Sequence, residues 1–426
     1  MRAITDLSIG ASVALLVIGS LGAQAPTTTA IKAGRLIDPQ TGTVTVNQTI
    51  LIEGQTIKAV GASLQIPPGA SVIDLSTSSV LPGLFDAHTH LCATVRILAD
   101  RLGLGFLDAV LLDPAGYRAI QGVAHAREML DAGFTTVRDV GNAGQYVDVD
   151  LQRGINRGLV PGPTMIVAGR IIAPFGGQFS TRADKSVITN PEYFFADTRD
   201  ELRKAIRENV YYGANVIKIV VDGQPYSYST EDIRYIVAEA AEARVKVAAH
   251  VQTAEGARRA IEAGASSVEH AWRLSDEDFR LMKNNGVVLV STDATEKVLH
   301  GFGWDDAGAA RIHAARVERL SRAHAAGVTI AFGTDVMVDM PGETRGTLAV
   351  EYVDGFVEAG ISTQAILQMM TVNAAKLLGV EDARGAIAPG MAADIIATPG
   401  NPLDNIQALK HVAFVMRNGV VHRHAR

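Results

Sequence analysis

The hydrophobic rhythm of the chain changes twice. From Ala30 to about Ile73, short apolar runs alternate with polar turns. Residues 31–38 lead into a polar turn, and residues 49–57 place two short runs around Glu53-Gly54-Gln55. This spacing predicts β-strands. The far end behaves alike: residues 393–397 and 412–421 are apolar, the second run broken by the hairpin signal Asn418-Gly419. Neither piece is long enough to make a core alone, so both ends are expected to pair into one small β-domain. Between them, helical stretches end at glycine and lead into short β-rich runs. Leu130-Asp131-Ala132-Gly133 precedes residues 134–139, Ile261-Glu262-Ala263-Gly264 precedes 267–270, and Ala325-Ala326-Gly327 precedes 328–335. Candidate strands lie near 81–88, 134–140, 164–169, 215–221, 246–251, 266–271, 287–292 and 329–335. Strand–helix alternation on this scale predicts an α/β chain with a (β/α)8 TIM barrel and a small β-sandwich domain from both ends. A doubly wound open sheet is the alternative, but no Gly-x-Gly-x-x-Gly follows the first strand. The expected division is 26–80 with 384–426 for the β-domain and 81–383 for the barrel.

Composition narrows the setting. The 426 residues are 47% hydrophobic and 20% charged, enough for a large core. A net charge of −6, without long basic runs, argues against nucleic acid as a partner. Arg2, an apolar run from about Ile9 to Leu21 and Ala23-Gln24-Ala25 together resemble a secretory signal over 1–25. The run is short for a membrane span, so export to the periplasm or medium is expected, with an uncleaved anchor as the alternative. The lone cysteine, Cys92, excludes an intrachain disulfide. It is read as a small buried residue, with a third metal ligand as the alternative.

The chemistry gathers at the predicted strand ends. Strand residues two apart point the same way, so His88 and His90 present two imidazoles to one side. Strand four carries Lys218 within an apolar run; strand five ends in His250, strand six in Glu269-His270, strand eight in Thr334-Asp335. Each alone has an ordinary reading as a satisfied core residue or helix cap. Together, at the end of a barrel where catalytic groups sit, they predict a divalent-metal site. Burial favours the neutral amine of Lys218, and a neutral amine can add carbon dioxide to become an anionic carbamate able to bridge two metals. A Schiff-base lysine is the rival, and four histidines favour metal.

These residues resemble the amidohydrolase superfamily, in its binuclear, carboxylated-lysine branch. The likeness covers nearly the whole chain: Leu81-Pro82-Gly83 with Asp86-Ala87-His88-Thr89-His90, Lys218, the two later histidines, Gly333-Thr334-Asp335 and the tail 385–395. It implies that His88, His90 and Asp335 hold one ion, His250 and His270 the other, and carboxylated Lys218 bridges them. The metals implied are two divalent ions, read as zinc. Residues 135–139 and 228–232 are similar to imidazolonepropionase-like and prolidase-like members, and to hydrolases of ochratoxin A, an amide of phenylalanine. Such relatives imply cleavage of Xaa-Pro dipeptides or N-acyl amino acids, small-molecule substrates that also leave room for a homo-oligomer. In that mechanism a hydroxide between the metals attacks the carbonyl, and Asp335 relays its proton to the leaving nitrogen. By resemblance, Tyr228 contacts the substrate carboxylate or oxyanion. The loop Pro174-Phe175-Gly176-Gly177-Gln178-Phe179 lacks a histidine that relatives often carry there. Arg138 and Asp139 are expected to form a structural pair and His125, His313 and His324 to lie on the surface, while His300, in the loop after strand seven, could reach the site. A deaminase or cyclic-amide hydrolase of the same superfamily is the nearest alternative, a Schiff-base lyase using Lys218 a more distant one.

Overall fold

The computed structural model describes residues 28–95, 112–141, 144–178, 191–223 and 226–425. The expected signal segment lies outside them. Four strands open the chain: β1 (Thr28–Asp38), β2 (Thr43–Glu53), β3 (Thr56–Gly61) and β4 (Ser71–Pro82). Then come β5 (Leu84–Thr89), β6 (Phe134–Asp139), β7 (Thr164–Val167), β8 (Ile171–Ala173), β9 (Tyr193–Phe195) and β10 (Val216–Val220). β11 (Lys246–Val251), β12 (Ser267–His270), β13 (Val288–Val290) and β14 (Ile330–Ala331) follow, with helices between most of them. The chain closes with β15 (Ile395–Thr398), β16 (Phe414–Arg417) and β17 (Val420–His424).

Both ends build one seven-stranded sheet in the order β17-β16-β15-β4-β1-β2-β3. β4 is the join. It runs parallel to β1 and pairs antiparallel with β15, opposing Val80 to Ala397 and Pro82 to Ile395. One face gathers Ile31, Ile50, Leu75, Val80, Ile395 and Phe414 into a single small core.

Eight parallel strands form the ring: β5, β6, β7, β10, β11, β12, β13 and β14. Side-by-side pairing is continuous from β5 to β7 and from β10 to β14. The Asn215 amide donates to Val167 O at 2.9 Å, joining the third and fourth strands. Ala87 N donates to Phe332 O at 2.8 Å, and Asp335 N to His88 O at 2.8 Å, closing the last strand onto the first. The short β8 and β9 extend the sheet beside β10, outside the expected eight. All residues of β5, β6 and β10 are buried, as required where helices cover the outside and side chains fill the inside. Alternation then decides each fate. Ile217 and Ile219 join the large core beneath the helices, while Val216 clusters with Ala168 and Ala248 on the other face. Lys218 shares the parity of Val216 and so belongs to the barrel interior.

Gly83 is the hinge from β4 into the ring. A Cβ there would lie 2.0 Å from Thr135 Oγ1 and 2.7 Å from Thr135 Cβ. The Gly83→Ala variant should therefore be destabilised by roughly 1–3 kcal/mol, the usual cost of overpacking. A lower urea midpoint with an unchanged far-UV spectrum is the expected result.

Candidate active site

The first strand brings its two histidines to the rim through a buried aspartate. Asp86 accepts from His88 N at 3.0 Å, from Thr334 N at 3.1 Å and from Thr334 Oγ1 at 2.6 Å. One carboxylate thus ties the start of the His-x-His segment to the strand that delivers Asp335. Burial pushes the Asp86 carboxyl up to about 7, partly offset by these hydrogen bonds.

Each imidazole has its tautomer set from behind. His88 Nδ1 lies 2.7 Å from Glu269 Oε2, and His90 Nδ1 lies 2.8 Å from the Gly141 carbonyl. A carboxylate and a carbonyl only accept, so Nδ1 carries the hydrogen on both rings. Both Nε2 lone pairs then face forward. His90 Nε2 stands 3.2 Å and His88 Nε2 3.7 Å from Asp335 Oδ1. Among the described residues, that oxygen is buried with no hydrogen-bond donor. Three lone-pair atoms facing one point repel unless a cation sits between them. Nitrogen and oxygen ligands at zinc-like bond lengths stand about 3.4 Å apart in a tetrahedral site, close to these separations. His88, His90 and Asp335 therefore fit a divalent metal ion, as the donor set implies.

The second pair of histidines joins them. The His270 ring centroid is 4.9 Å from that of His88 and 4.5 Å from that of His250. His270 Nδ1 bonds Thr292 Oγ1 at 2.8 Å. Burial, reinforced by neighbouring positive groups, drives His88 and His270 well below the usual imidazole range and His250 to about 3. Burial thus favours the neutral form of these rings, the form that binds a metal. Lys218 points to the same place: it is 2% exposed, its Nζ is 3.5 Å from His88 Nε2, and burial lowers its amine to about 8. The structure thus brings all six predicted ligand positions to one pocket of about 290 Å3, with Gln178 and Gln252 on its wall.

Backbone strain collects here too. His270, Ala271, Thr292 and Asp335 all adopt positive φ, between 47° and 68°. Left-handed backbone costs such residues on the order of 1–3 kcal/mol each and persists where the surroundings over-determine it.

Several expectations are corrected. Tyr228 is not brought to the pocket; it is 4% exposed and its hydroxyl donates to Ala196 O at 2.8 Å, so its polar end is already satisfied in the core. Arg138 and Asp139 do not pair, because adjacent strand residues point to opposite faces. Arg138 turns inward, donating to Glu269 Oε1 at 2.7 Å and Ala87 O at 2.6 Å, while Asp139 accepts from Leu91 N at 2.6 Å. His125 and His313 are buried, not superficial; Leu91 O and Glu358 respectively satisfy them. His324 is partly exposed. His300 bonds Trp304 O within its own turn and lies outside the pocket. Cys92 is buried, its thiol pushed well above the ordinary range by burial, and lies outside the His-His-Asp group. The residue that sequence reasoning passed over is Glu269. In the sequence it shows only as a carboxylate beside His270, because its partner Arg138 lies far away along the chain.

Comparison with known proteins agrees with this geometry. The amidohydrolase family profile matches residues 79–422. Ochratoxinase of Aspergillus niger is 29% identical over 432 aligned positions, covering 92% of this chain and 86% of that protein. Imidazolonepropionase of Deinococcus deserti is 26% identical, covering 82% and 84%. A crystal structure of a Xaa-Pro dipeptidase with methionine bound in the active site superposes with a TM-score of 0.82 at 30% identity, covering 93% of this chain and all of that one.

Glu269 gives a direct test of the ligand set. Glu269→Gln keeps the shape but lets Nδ1 of His88 lose its acceptor and strands the Arg138 charge. Orienting partners of this kind are worth about 10–100-fold in metal affinity. Metal titration followed by calorimetry should show a loss of that size; unchanged affinity would mean that His88 needs no orientation from behind.

Proposed function

The chain belongs to the amidohydrolase family, and from that premise we propose that it hydrolyses the amide bond of a dipeptide or N-acyl amino acid and releases the C-terminal amino acid. Xaa-Pro dipeptides and ochratoxin A-like amides fall within this class. The observation that carries the reading is the convergence of four imidazoles, Asp335 and a buried amine on one pocket.

In the proposed site His88, His90 and Asp335 would hold one ion, His250 and His270 a second, and the carbamate of Lys218 would supply an anionic ligand to both. When bound, two divalent ions such as zinc would supply a nucleophile from water near neutral pH and polarise the scissile carbonyl. Lys218 contributes charge. Four imidazoles are neutral and Asp335 brings one negative charge, so two dications need further anionic ligands. A neutral amine and carbon dioxide give a carbamate anion and a proton, and the lowered amine value supports that addition. Asp335 uses its second oxygen, 29% exposed as a side chain, to accept the proton of the attacking water and return it to the leaving nitrogen. Gln178 lines the pocket and comes from the loop in which relatives often carry a histidine, so it bears on substrate preference.

Export is part of the proposal, resting on the apolar N-terminal segment alone. Sequencing of secreted or periplasmic material should begin at or near Pro26, and an intact Met1 on cytoplasmic protein would remove this element.

Two measurements test the chemistry. The metal-loaded protein should release free amino acid from at least one member of a panel of Xaa-Pro dipeptides, N-acyl amino acids and ochratoxin A, and exhaustive chelation should abolish it. Ammonia release from cyclic amidines without amide cleavage would move the reading to a deaminase. Lys218→Ala should lose most turnover and about one of two metals, and Lys218→Glu should recover metal content. Wild-type metal content and rate in Lys218→Ala would overturn the bridging role.

A further inference from the structure

Beside the ligand pocket lies a second, larger space of about 740 Å3. The two share Asp335 and Trp272 on their walls. Its lining is mainly apolar and aromatic, with Trp272, Leu299, Phe302, Trp304 and Tyr352, and it carries two arginines, the exposed Arg273 and the more deeply set Arg316.

Arg316 projects from the helix Asp306–Ala325, and its Cζ lies 4.9 Å from the Trp272 ring centroid. Among the described residues its guanidinium has neither a hydrogen bond nor an ion pair. The acid nearest in charge terms, Asp293, is already engaged at both oxygens by Arg319. Two guanidinium groups therefore share one carboxylate, leaving one positive charge uncompensated on an apolar wall. Partial desolvation acts against this cation and lowers its pKa. A site of this kind favours an anion on an apolar body.

We propose that Arg316 anchors the α-carboxylate of the amino acid to be released, and that the adjoining cavity selects a large apolar, preferably aromatic, side chain on it. The inference rests on the amide hydrolysis proposed above and specifies its leaving group. The leaving nitrogen must meet Asp335 to be protonated. From Asp335 the larger space runs towards Arg316, so the leaving amino acid extends into it while the acyl part stays by Gln178 and Met337. Arg316 is a substrate-binding residue in this arrangement and takes no part in proton transfer.

Trp272 and Trp304 are the only tryptophans of the chain, and both line the cavity, so its occupancy can be read without turnover. Intrinsic fluorescence of the metal-loaded protein would be titrated with L-phenylalanine, L-phenylalaninamide and L-proline. L-phenylalanine should bind roughly ten- to a hundredfold more tightly than its amide, the usual worth of a hydrogen-bonded charge, and more tightly than L-proline. Arg316→Gln should erase the difference between acid and amide, and Arg316→Lys should keep part of it. With N-acetyl-L-phenylalanine as substrate, Arg316→Gln should raise KM by about the same factor and leave kcat nearly unchanged. Equal binding of acid and amide by the wild type would overturn the anchor, even if Arg316→Gln failed to fold. L-proline binding as tightly as L-phenylalanine would overturn the aromatic preference. Acid-over-amide discrimination without hydrolysis of any amide would leave the anchor standing and defeat the hydrolase reading, so the two fail separately.

Discussion

A buried carboxylate at the barrel axis organises the molecule. Glu269 is fully enclosed, and it meets Arg138 from the second strand, Ser267 from its own strand and His88 from the first. Left alone, such a charge would be prohibitively costly. Paired with one guanidinium it is neutralised, and its remaining oxygen fixes the direction of an imidazole. Arg138 in turn donates to Ala87 O and Ser267 Oγ, so the same ionic chain links three strands of the ring. Barrel assembly and ligand orientation are one event: the strands cannot close with the charges matched unless His88 faces the centre.

The strand ends were legible because the pattern there is simple. A run of apolar residues interrupted by one histidine, lysine or aspartate names both the element and the exception to it. Lys218 and His250 announce themselves in this way, and His88, His90, His270 and Asp335 by closing a predicted strand. Glu269 did not, since a charge next to a histidine reads equally well as a second ligand or as a rim residue; only its distance to Arg138, more than a hundred residues away in the chain, gives it meaning. Tyr228 misled for the opposite reason. A tyrosine after a catalytic strand suggests a substrate contact, but whether its hydroxyl meets a ligand or a backbone carbonyl depends on β9 and the loop beyond it, which local pattern did not reveal. His125 and His313 show the same limit: helical periodicity gives a face, not its neighbours. Arg316 lay within a helix carrying several arginines, and no spacing rule marks which one overlooks a cavity.

Electrostatics around the pocket divides into two zones. On the side of Lys218, burial drives His88, His250, His270 and Lys218 itself towards their neutral forms, so further charge must arrive with the ligands. Towards Arg316 a permanent cation remains exposed to the larger space. A substrate with one anionic end and one neutral amide would be oriented by that contrast before any close contact forms.

The seven-stranded sheet imposes an order on synthesis. β4 is flanked by β1, made with it, and by β15, made more than three hundred residues later. Until β15 emerges, one edge of β4 offers unpaired backbone amides and carbonyls next to an apolar face, an invitation to intermolecular pairing. Contacts so distant in sequence close slowly. A nascent chain paused inside the barrel would therefore carry an open edge along β4, and the quality of the fold is decided by residues 395–425, although none of these lines the pocket.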